Sequence, residues 1–438
     1  MTSTRTITDV SRIAIEPAAR SDVAPVAGSL RGSEILRISA EIRTRAARGE
    51  RICNLTVGDF DPRYFRIPQV LEEGTTEALR QAETNYPPSL GIPALREAVG
   101  ALYERELGLR YPVECILITS GSRPGVYGTY RTVVGAGDRV VYGVPSWNNN
   151  YYVDMMEATH VPVPCEPATA FLPTREQLEP ALRGARLLAL NSPLNPCGTA
   201  FTAEALGEIC DLVLEENARR TRADGPLYVL YDQVYWQLTF GGTEHVDPVS
   251  LRPEMARYTL FVDGISKAFA ATGMRVGWVV GPSHAITVMN NVLQHVGTWA
   301  PRAEQIATAR LLGMPDEIAS FRTQLIAGVQ RRLDLLFEAL QALRREGHPV
   351  NAIQPMGAIY LSAHFDLLGR TTNDGSILRT SDDIRGWLLR EAGLAVVPFT
   401  AFGASGEGGW CRLSVGAASI EEIEAALPPL RAGLSALR

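Results

Sequence analysis

Short apolar runs rich in β-branched residues alternate with helical segments through the middle of this 438-residue chain, and this alternation restricts its fold more than any other feature. The pattern is typical of a mainly parallel sheet flanked by helices, which makes α/β the expected fold class. Periodic apolar positions predict helices over 92–107, 203–219 and 315–346. Strands are predicted over 115–119, 139–144, 187–191, 227–232, 259–263 and 276–280.

The pattern changes after the long helix predicted at 315–346. Strand-like runs and two helices of the last residues indicate a smaller α+β domain, and a helix predicted at 32–47 belongs with it. The runs lie at 358–361, 394–398 and 411–415, and the helices near 382–391 and from 419. We predict four parts: a flexible N-terminal extension (1–32), the first part of the small domain (33–66), a large cofactor-binding domain (67–314), and a long connecting helix with the C-terminal small domain (315–438).

The composition argues against several classes of partner. A net charge of −6 argues against nucleic acid, because phosphate backbones require a basic surface. No run has the length of a membrane span, and the N-terminal residues lack the apolar core of a secretory signal. The six cysteines have no zinc-binding spacing, so no metal site is expected. We expect a cytoplasmic protein that acts on small molecules.

Lys267 is the one lysine among 42 lysine and arginine residues, and it follows the strand predicted at 259–263. Arginine can replace lysine where a positive charge suffices, but its guanidinium stays protonated and cannot form a Schiff base. Lys267 is therefore a candidate nucleophilic amine. The alternative is a coding bias toward arginine that left one lysine by chance. Arg275, a little further along the chain, is suited to clamp a phosphate.

Other predicted strands also lead into small or polar residues, and ligands of open parallel sheets collect beyond the carboxyl ends of strands. Ser120, Gly121 and Ser122 follow the first strand, where a helix start can present N–H groups to a phosphate. Trp147 follows the second strand and can stack on a planar ring. The structural alternatives are a tight connection and an ordinary core tryptophan.

Two later strands end near side chains that form hydrogen bonds. Asn195 lies in a loop constrained by two prolines and a glycine, and it can donate to a phenolate oxygen. Asp232 ends an apolar strand, where a carboxylate needs a cationic partner such as a pyridinium N–H. Tyr235 can donate to a hydroxyl of the same ring. The alternative for Asp232 is a cap on the following helix.

Together these motifs resemble the class I/II aminotransferases, pyridoxal-phosphate enzymes of fold type I in the aspartate aminotransferase lineage. The resemblance covers residues 33–438, and the run Ser-Lys-Ala-Phe-Ala-x-Thr-Gly-x-Arg-x-Gly at 266–277 is highly specific. It implies that Lys267 forms an aldimine with pyridoxal 5'-phosphate and then moves the proton. It implies transfer of the amino group of an L-amino acid, aspartate or a related one, to a 2-oxo acid such as 2-oxoglutarate by a ping-pong mechanism.

The resemblance also assigns roles to the other motif residues. Asp232 would keep the ring nitrogen protonated, while Tyr235 and Asn195 would contact the ring hydroxyl. Trp147 would stack on the ring, and both Trp147 and Asn195 would face the substrate. The phosphate would be held by Ser120, Gly121, Ser122 and Arg275.

Three further residues match the family outside the central motifs. Tyr86, in Asn-Tyr-Pro-Pro-Ser-Leu-Gly, matches the tyrosine that reaches the phosphate of the neighbouring subunit, which implies a homodimer with shared sites. Arg412 matches the arginine that binds the α-carboxylate of the substrate, a bidentate role suited to guanidinium. Gly58 matches a loop glycine that lies over the substrate.

The chain departs from the family pattern in places. Gly264 stands where the family often has a phosphate-binding serine, so one hydroxyl contact is in doubt. Arg123 and Pro124 follow the Ser-Gly-Ser turn and suggest an extra cation near the phosphate. Candidates for recognition of the substrate side chain, each with a structural alternative, are His295, Trp299 and Arg302.

Two rival functions stay open at this point. A lyase or decarboxylase on the same fold would use the same cofactor residues, because the motifs do not reveal which bond at Cα is broken. A ligand-sensing regulator would need a DNA-binding module, for which the residues before Ser33 carry no helix-turn-helix pattern. The amino donor is not identified by the sequence.

Overall fold

The fold is described by a computed structural model that covers residues 23–30 and 32–438. Most of the predicted N-terminal extension, residues 1–22 together with residue 31, lies outside the described residues. The described part of that extension contains a short helix, Pro25–Ser29.

Seven strands form one large sheet that carries most of the predicted motifs. The strands of the described residues are β1 (Cys53–Asn54), β2 (Ile116–Thr119), β3 (Arg139–Val144), β4 (Thr159–Pro164), β5 (Ala185–Asn191), β6 (Tyr228–Asp232), β7 (Thr259–Gly264), β8 (Gly277–Val280), β9 (Val350–Ala352), β10 (Tyr360–Phe365), β11 (Leu394–Ala395), β12 (Val397–Pro398) and β13 (Trp410–Ser414). The large sheet has the order β2-β8-β7-β6-β5-β3-β4. Its neighbouring strands are parallel except that β8 is antiparallel to both β2 and β7. The predicted α/β class with a mainly parallel sheet is confirmed.

Helices cover the sheet and connect it to the second unit. The α-helices are α1 (Pro25–Ser29), α2 (Glu34–Ala47), α3 (Gln69–Arg80), α4 (Pro93–Leu107), α5 (Ser122–Val133), α6 (Asn149–Met155), α7 (Arg175–Leu182), α8 (Ala203–Arg219), α9 (Pro248–Leu251), α10 (Ile265–Ala268), α11 (Ser283–Val296), α12 (Arg302–Leu312), α13 (Pro315–Arg345), α14 (Ser381–Ala392) and α15 (Ile420–Ala436). The helices predicted at 92–107, 203–219 and 315–346 are confirmed as α4, α8 and α13. The segment described here contains no helix that is long and apolar enough to cross a membrane.

Strand β4 was not predicted from the sequence. It contains Pro162 and Pro164, and Val163 is the one buried residue of the strand, so it lacks the continuous apolar run of its neighbours. Strand β4 lies at the edge of the sheet, where the missing N–H groups of proline are tolerated.

Two predicted strands of the C-terminal region have different bounds in the structure. The run predicted at 394–398 is divided at Val396, because β11 pairs with β1 while β12 pairs with β13. The strand predicted to begin at residue 358 begins at Tyr360, because Ala358 has a φ of 62° and occupies a turn.

The large sheet separates two apolar clusters because successive residues of a strand face opposite sides. On β6, Val229 and Tyr231 belong to one cluster, and Tyr228 and Leu230 belong to the other. Both faces are therefore buried, as a sheet covered by helices requires. Polar groups that face a ligand are placed at the ends of the strands.

A third apolar cluster lies around the antiparallel sheet β12-β13-β10-β9 and helices α13, α14 and α15. Residues of the N-terminal segment, including Cys53, Leu55 and Phe60, belong to this cluster. The parallel pairing of β1 with β11 fixes that segment against the C-terminal region. Ile38 and Ile42 of α2 instead belong to the first cluster, with residues of the large sheet. The grouping of 33–66 with 315–438 and its boundaries stay a prediction.

Candidate active site

The carboxyl ends of the parallel strands bring several predicted residues to one edge of the large sheet. Asp232 is the last residue of β6, and Lys267 lies in α10 directly after β7. Ser120 follows β2, and Arg275 precedes β8. Because β8 is antiparallel to β7, its start lies at the same edge where β7 ends. Segments that are distant in sequence therefore converge.

Lys267 is held in the site by a contact with the N-terminal segment. Its Nζ donates a hydrogen bond of 2.6 Å to the carbonyl of Gly58. Burial lowers the pKa of Lys267 from 10.5 to about 8, with Arg412 acting in the same direction and Asp59 opposing it. A larger share of the amine is thus neutral and nucleophilic near neutral pH than in an exposed lysine.

Asp232 is a carboxylate that is suited to bind a cation. It accepts a hydrogen bond of 3.2 Å from the backbone N–H of Val234, and among the described residues it has no ion-pair partner. Burial raises the pKa of Asp232 to about 7. A protonated ring nitrogen at this carboxylate would supply the missing positive charge.

The start of α5 forms an anion-binding cradle. No side chain of the described residues caps this helix, which leaves its first N–H groups free for a ligand. Arg275, with a φ of 58°, donates 2.7 Å to the carbonyl of Thr272 and 3.1 Å to that of Ser120. These bonds fix the guanidinium beside Gly121. A phosphate there can accept hydrogen bonds from the guanidinium and from the first N–H groups of α5.

Steric crowding explains why glycine occupies residue 121 in this cradle and residue 264 before the turn of Lys267. Gly121 has a φ of +82°, and a Cβ there would lie 2.2 Å from Nη2 of Arg275. A Cβ on Gly264 would lie 2.8 Å from the Cα of Gly277 and 2.8 Å from the carbonyl oxygen of Val276. The close approach of β7 and β8 therefore leaves no room for the serine that the family often has at residue 264.

Arg412 is a buried cation that faces the same site. It is 1% exposed, and its guanidinium carbon lies 4.8 Å from the centroid of the Tyr360 ring and 4.9 Å from that of Phe402. It donates 3.1 Å to Oδ1 of Asn195 and 2.6 Å to the carbonyl of Thr56. Its Nε has no partner among the described residues. Burial lowers the pKa of Arg412, so an anionic ligand would be well matched.

Tyr235 and Tyr360 share a buried hydrogen bond of 2.5 Å between their hydroxyls. Burial raises the pKa of Tyr235 well above its usual range, so its hydroxyl keeps its proton and can donate. Tyr360 was not singled out in the sequence, because it belongs to a strand 125 residues away from Tyr235. The aromatic residue in the apolar run at 358–361 was its only signal.

Trp147 and Asp232 line one cavity beyond the strand ends. The guanidinium carbon of Arg123 lies 4.7 Å from the centroid of the Trp147 ring. Arg123 and Arg275 also line a neighbouring cavity together with Tyr151. The extra cation suggested by the sequence therefore lies near Arg275 and against Trp147.

Four predicted residues lie elsewhere on the chain. Tyr86 is 82% exposed, and its ring packs edge-to-face on Trp299 with centroids 5.2 Å apart. Arg302 forms an ion pair with Glu83, and His295 is exposed at the end of α11. Tyr86, Trp299 and Arg302 line a cavity whose lining residues do not include Lys267.

Several site residues were missed by the sequence reasoning. Asp59 is the carboxylate that opposes the lowered pKa of Lys267, and the carbonyl of Thr56 holds Arg412. Asp263, four residues before Lys267, is buried. The signal for Asp59 was its place beside Gly58, whereas the backbone contact of Thr56 had no signal in its side chain.

Comparisons with known proteins place the chain in a family. A family model described as "Aminotransferase class I and II" matches residues 50–428. The "Aspartate aminotransferase" of Rhizobium meliloti (strain 1021) is 31% identical over 377 residues, which cover 85% of this chain and 87% of that protein. The "Aspartate/prephenate aminotransferase" of Thermus thermophilus is 31% identical over 403 residues, which cover 91% of this chain and 95% of that protein.

Solved structures agree with this result. The structure of aspartate aminotransferase from Rhizobium meliloti has a TM-score of 0.86 at 29% identity and covers 97% of this chain and 100% of that chain. Aspartate aminotransferase from Thermus thermophilus with maleate has a TM-score of 0.82 at 29% identity and covers 94% of this chain and 99% of that chain. The chain belongs to the class I and II aminotransferases.

The protein is a pyridoxal-phosphate-dependent aminotransferase, which confirms the predicted family, enzyme class and cofactor. The residues present fit this cofactor. Among the described residues Asp232 has no cationic partner and the start of α5 has no side-chain cap, and burial lowers the pKa of the Lys267 amine to about 8. These three observations match a ring nitrogen, a phosphate and an aldehyde, respectively.

We expect Gly121→Ala to weaken binding of pyridoxal phosphate, because the new Cβ must displace Arg275 from the cradle. Loss of one charge-assisted hydrogen bond corresponds to about a tenfold or greater rise in the dissociation constant. Absorbance titration of cofactor-free protein measures it. Gly273→Ala is the matched control, since a Cβ there meets nothing within 4 Å. Equal affinities of the two variants would contradict the assignment of the cradle.

Proposed function

We propose that this aminotransferase moves the amino group of an acidic L-amino acid to a 2-oxo acid by a ping-pong mechanism. The observation that carries the proposal is the convergence of three groups beyond the strand ends: a lysine of lowered pKa, a carboxylate that has no cationic partner among the described residues, and a buried guanidinium. These groups are Lys267, Asp232 and Arg412. They supply a nucleophile, a charge partner for a ring and a carboxylate clamp.

The cofactor residues are proposed as the family resemblance assigns them. When bound, pyridoxal phosphate supplies a carbonyl that condenses with amines and a protonated ring that accepts electron density from Cα. Asp232 holds the proton on the ring nitrogen, and Trp147 packs on the ring. Tyr235 and Asn195 donate to the ring hydroxyl. The phosphate is bound by Ser120, Gly121, Ser122 and Arg275.

Lys267 acts as nucleophile and then as base and acid. The lowered pKa gives its Nζ a free electron pair at moderate pH, so it can take the proton from the Cα of the substrate and return one to the reacting centre. The carbonyl of Gly58 lies 2.6 Å from Nζ and orients it. The buried position of Lys267 therefore fixes the distance over which Nζ transfers the proton.

Arg412 orients the substrate by its α-carboxylate. The guanidinium is held by Thr56 and Asn195, and its Nε is still without a partner among the described residues. A carboxylate at this position can accept two N–H bonds in fixed geometry. A Cβ on Gly58 would lie 2.9 Å from the hydroxyl of Tyr360 and 3.7 Å from Nη1 of Arg412, so a larger residue would crowd this clamp.

Arg123 is our candidate for the second carboxylate of an acidic substrate. It lies on Trp147, lines a cavity with Arg275, and forms no ion pair in the described part of the chain. Both relatives named above carry aspartate in their names, and one solved neighbour is described with the dicarboxylate maleate. An aromatic amino donor is the second candidate, because Tyr127, Tyr151 and Tyr152 line the same cavity.

We expect Arg123→Gln to lower kcat/KM for aspartate by about 10- to 100-fold, as loss of a charged hydrogen bond predicts. The value for phenylalanine should change much less, because its side chain carries no charge. Steady-state kinetics with both donors measure the difference. Arg131→Gln, at an exposed position of the same helix, is the control. A uniform loss for both donors would refute the role of Arg123 in specificity.

Lys267→Ala and Lys267→Arg should both abolish transamination and the visible absorption band of the bound cofactor, because guanidinium cannot replace a nucleophilic amine. Borohydride reduction of the wild type should fix the cofactor to the single lysine-containing peptide. Peptide mass spectrometry locates the label, and release of 2-oxo acid measures turnover. Substantial turnover in either variant, or label on another peptide, would overturn the proposal.

We further propose a homodimer in which Tyr86 completes the site of the partner subunit. Tyr86 is 82% exposed on a single chain and lies away from Lys267, beside Trp299. Leu79 and Val296 are also exposed, at 54% and 56%. Apolar exposure of this kind is typical of a surface that another chain covers. The cytoplasmic location likewise stays a prediction.

A hybrid dimer tests whether Tyr86 serves the partner. We expect a heterodimer of Lys267→Ala and Tyr86→Ala chains to contain one complete site, because the lysine of one chain meets the tyrosine of the other. Co-expression with two affinity tags isolates it, and its turnover should be half that of the wild-type dimer. Turnover no higher than half that of the Tyr86→Ala homodimer would show that Tyr86 acts within its own chain or not at all.

A further inference from the structure

Asp263 is a buried carboxyl group on the face of the sheet opposite to Asp232. It is 1% exposed and lies near the end of β7, four residues before Lys267. Phe261, two residues earlier, belongs to the apolar cluster on one face, whereas Val262 belongs to the cluster on the other. Asp263 shares the face of Phe261 and therefore does not face the ligand cavity.

Each oxygen of Asp263 accepts a hydrogen bond from a different catalytic segment. Oδ1 accepts from the backbone N–H of Gly264 at 2.7 Å, at the start of the turn that carries Lys267. Oδ2 accepts from Nε1 of Trp236 at 2.8 Å. Trp236 directly follows Tyr235 and closes the turn that begins at Asp232. One carboxyl group thus joins the two turns, and we call this pair of hydrogen bonds the brace.

Hydrogen bonds through Gln233 fix the turn that contains Trp236. The backbone N–H of Trp236 donates 2.9 Å to the carbonyl of Gln233, whose side chain is fully buried. Gln233 donates 3.2 Å to the hydroxyl of Tyr103 and lies 3.3 Å from Nε2 of His245. The indole is therefore a fixed donor and not a mobile one.

The choice of a carboxyl group at this position is costly. Among the described residues Asp263 has no ion-pair partner, and burial raises its pKa, whereas the hydrogen bonds from Gly264 and Trp236 lower it by favouring the ionised form that accepts from both. An apolar side chain would be cheaper to bury. What a carboxyl group offers over other small side chains is two acceptors at a fixed separation, which is what two donors on different segments require.

We propose that Asp263 is a positioning residue for transamination, holding the turn of Lys267 in register with the turn of Asp232 and Tyr235. The proposal rests on the function proposed for those three residues. Asp263 itself touches neither substrate nor cofactor. Its effect is exerted through Gly264 on one side and Trp236 on the other.

Asp263→Asn tests the brace, because an amide offers one acceptor and turns an N–H group toward the other donor. Misplacement of reacting groups costs on the order of 100-fold in rate, so kcat should fall by about 10- to 100-fold. KM for the amino acid should change little, since Arg412 is held by other residues. Trp236→Phe removes one of the two bonds and should lower kcat in the same direction, and the double variant should lose less than the product of the single losses.

Cofactor-free protein gives an independent readout. Because the chain has one lysine, trinitrobenzenesulfonate labelling of the peptide that contains Lys267 reports the pH midpoint of that amine alone. Loosening its turn reduces burial, so the midpoint should rise in Asp263→Asn from about 8 toward 10.5. The labelled peptide is quantified by mass spectrometry.

Asp247→Asn is the matched control. Asp247 is 2% exposed and caps α9 by accepting 2.9 Å bonds from the N–H groups of Val249 and Ser250, which belong to neither of the two turns. Both variants should lower the melting temperature, but kcat and the labelling midpoint should move in Asp263→Asn alone. A fall in melting temperature with unchanged kcat and midpoint would overturn the proposal. Activity lost in Lys267→Ala but kept in Asp263→Asn would leave the proposed function intact while rejecting the brace.

Discussion

The parallel pairing of β6 with β7 is the constraint on which the site depends. Asp232 lies opposite Val262 in this pairing, so the turn after β6 and the turn after β7 leave the sheet side by side. Arg275 joins them because β8 reverses direction and begins where β7 ends. A change of register by one residue would exchange the two faces of a strand and remove either carboxylate from its environment.

The charge distribution of the site differs from that of the whole chain. The protein carries a net charge of −6, yet three guanidinium groups help to lower the pKa of Lys267. They belong to Arg412, Arg123 and Arg275. Asp59 is the carboxylate that opposes them. Such a local excess of positive charge attracts small anions, including phosphates and 2-oxo acids, while the acidic remainder disfavours nucleic acid.

The sequence was sufficient to predict the convergence of residues that lie at strand ends. Lys267, Asp232 and Arg275 each adjoin a predicted strand, and parallel strands share an edge, so their convergence followed from local patterns. Tyr360 could not be found this way, because its partner Tyr235 lies 125 residues away and only packing joins them. Asp263 was overlooked because a carboxylate at a strand end does not reveal which face it occupies.

Partnership between chains is a further limit of sequence reasoning. Tyr86 was assigned through family resemblance, and on one chain it packs on Trp299 instead of entering a site. Strand β4 was missed because its prolines remove the apolar run by which strands are recognised, although an edge position tolerates them. Packing and edge position, in both cases, are properties of the assembled fold.

The enclosure of Arg412 has a consequence for the entropy of substrate binding. A free arginine side chain carries about 2 kcal/mol of rotamer entropy, most of which is lost when it grips a ligand. Here Tyr360 and Phe402 confine the guanidinium, and Thr56 and Asn195 fix its orientation. Contacts within the protein thus order this side chain, and the carboxylate that we propose it binds would meet a preorganised clamp.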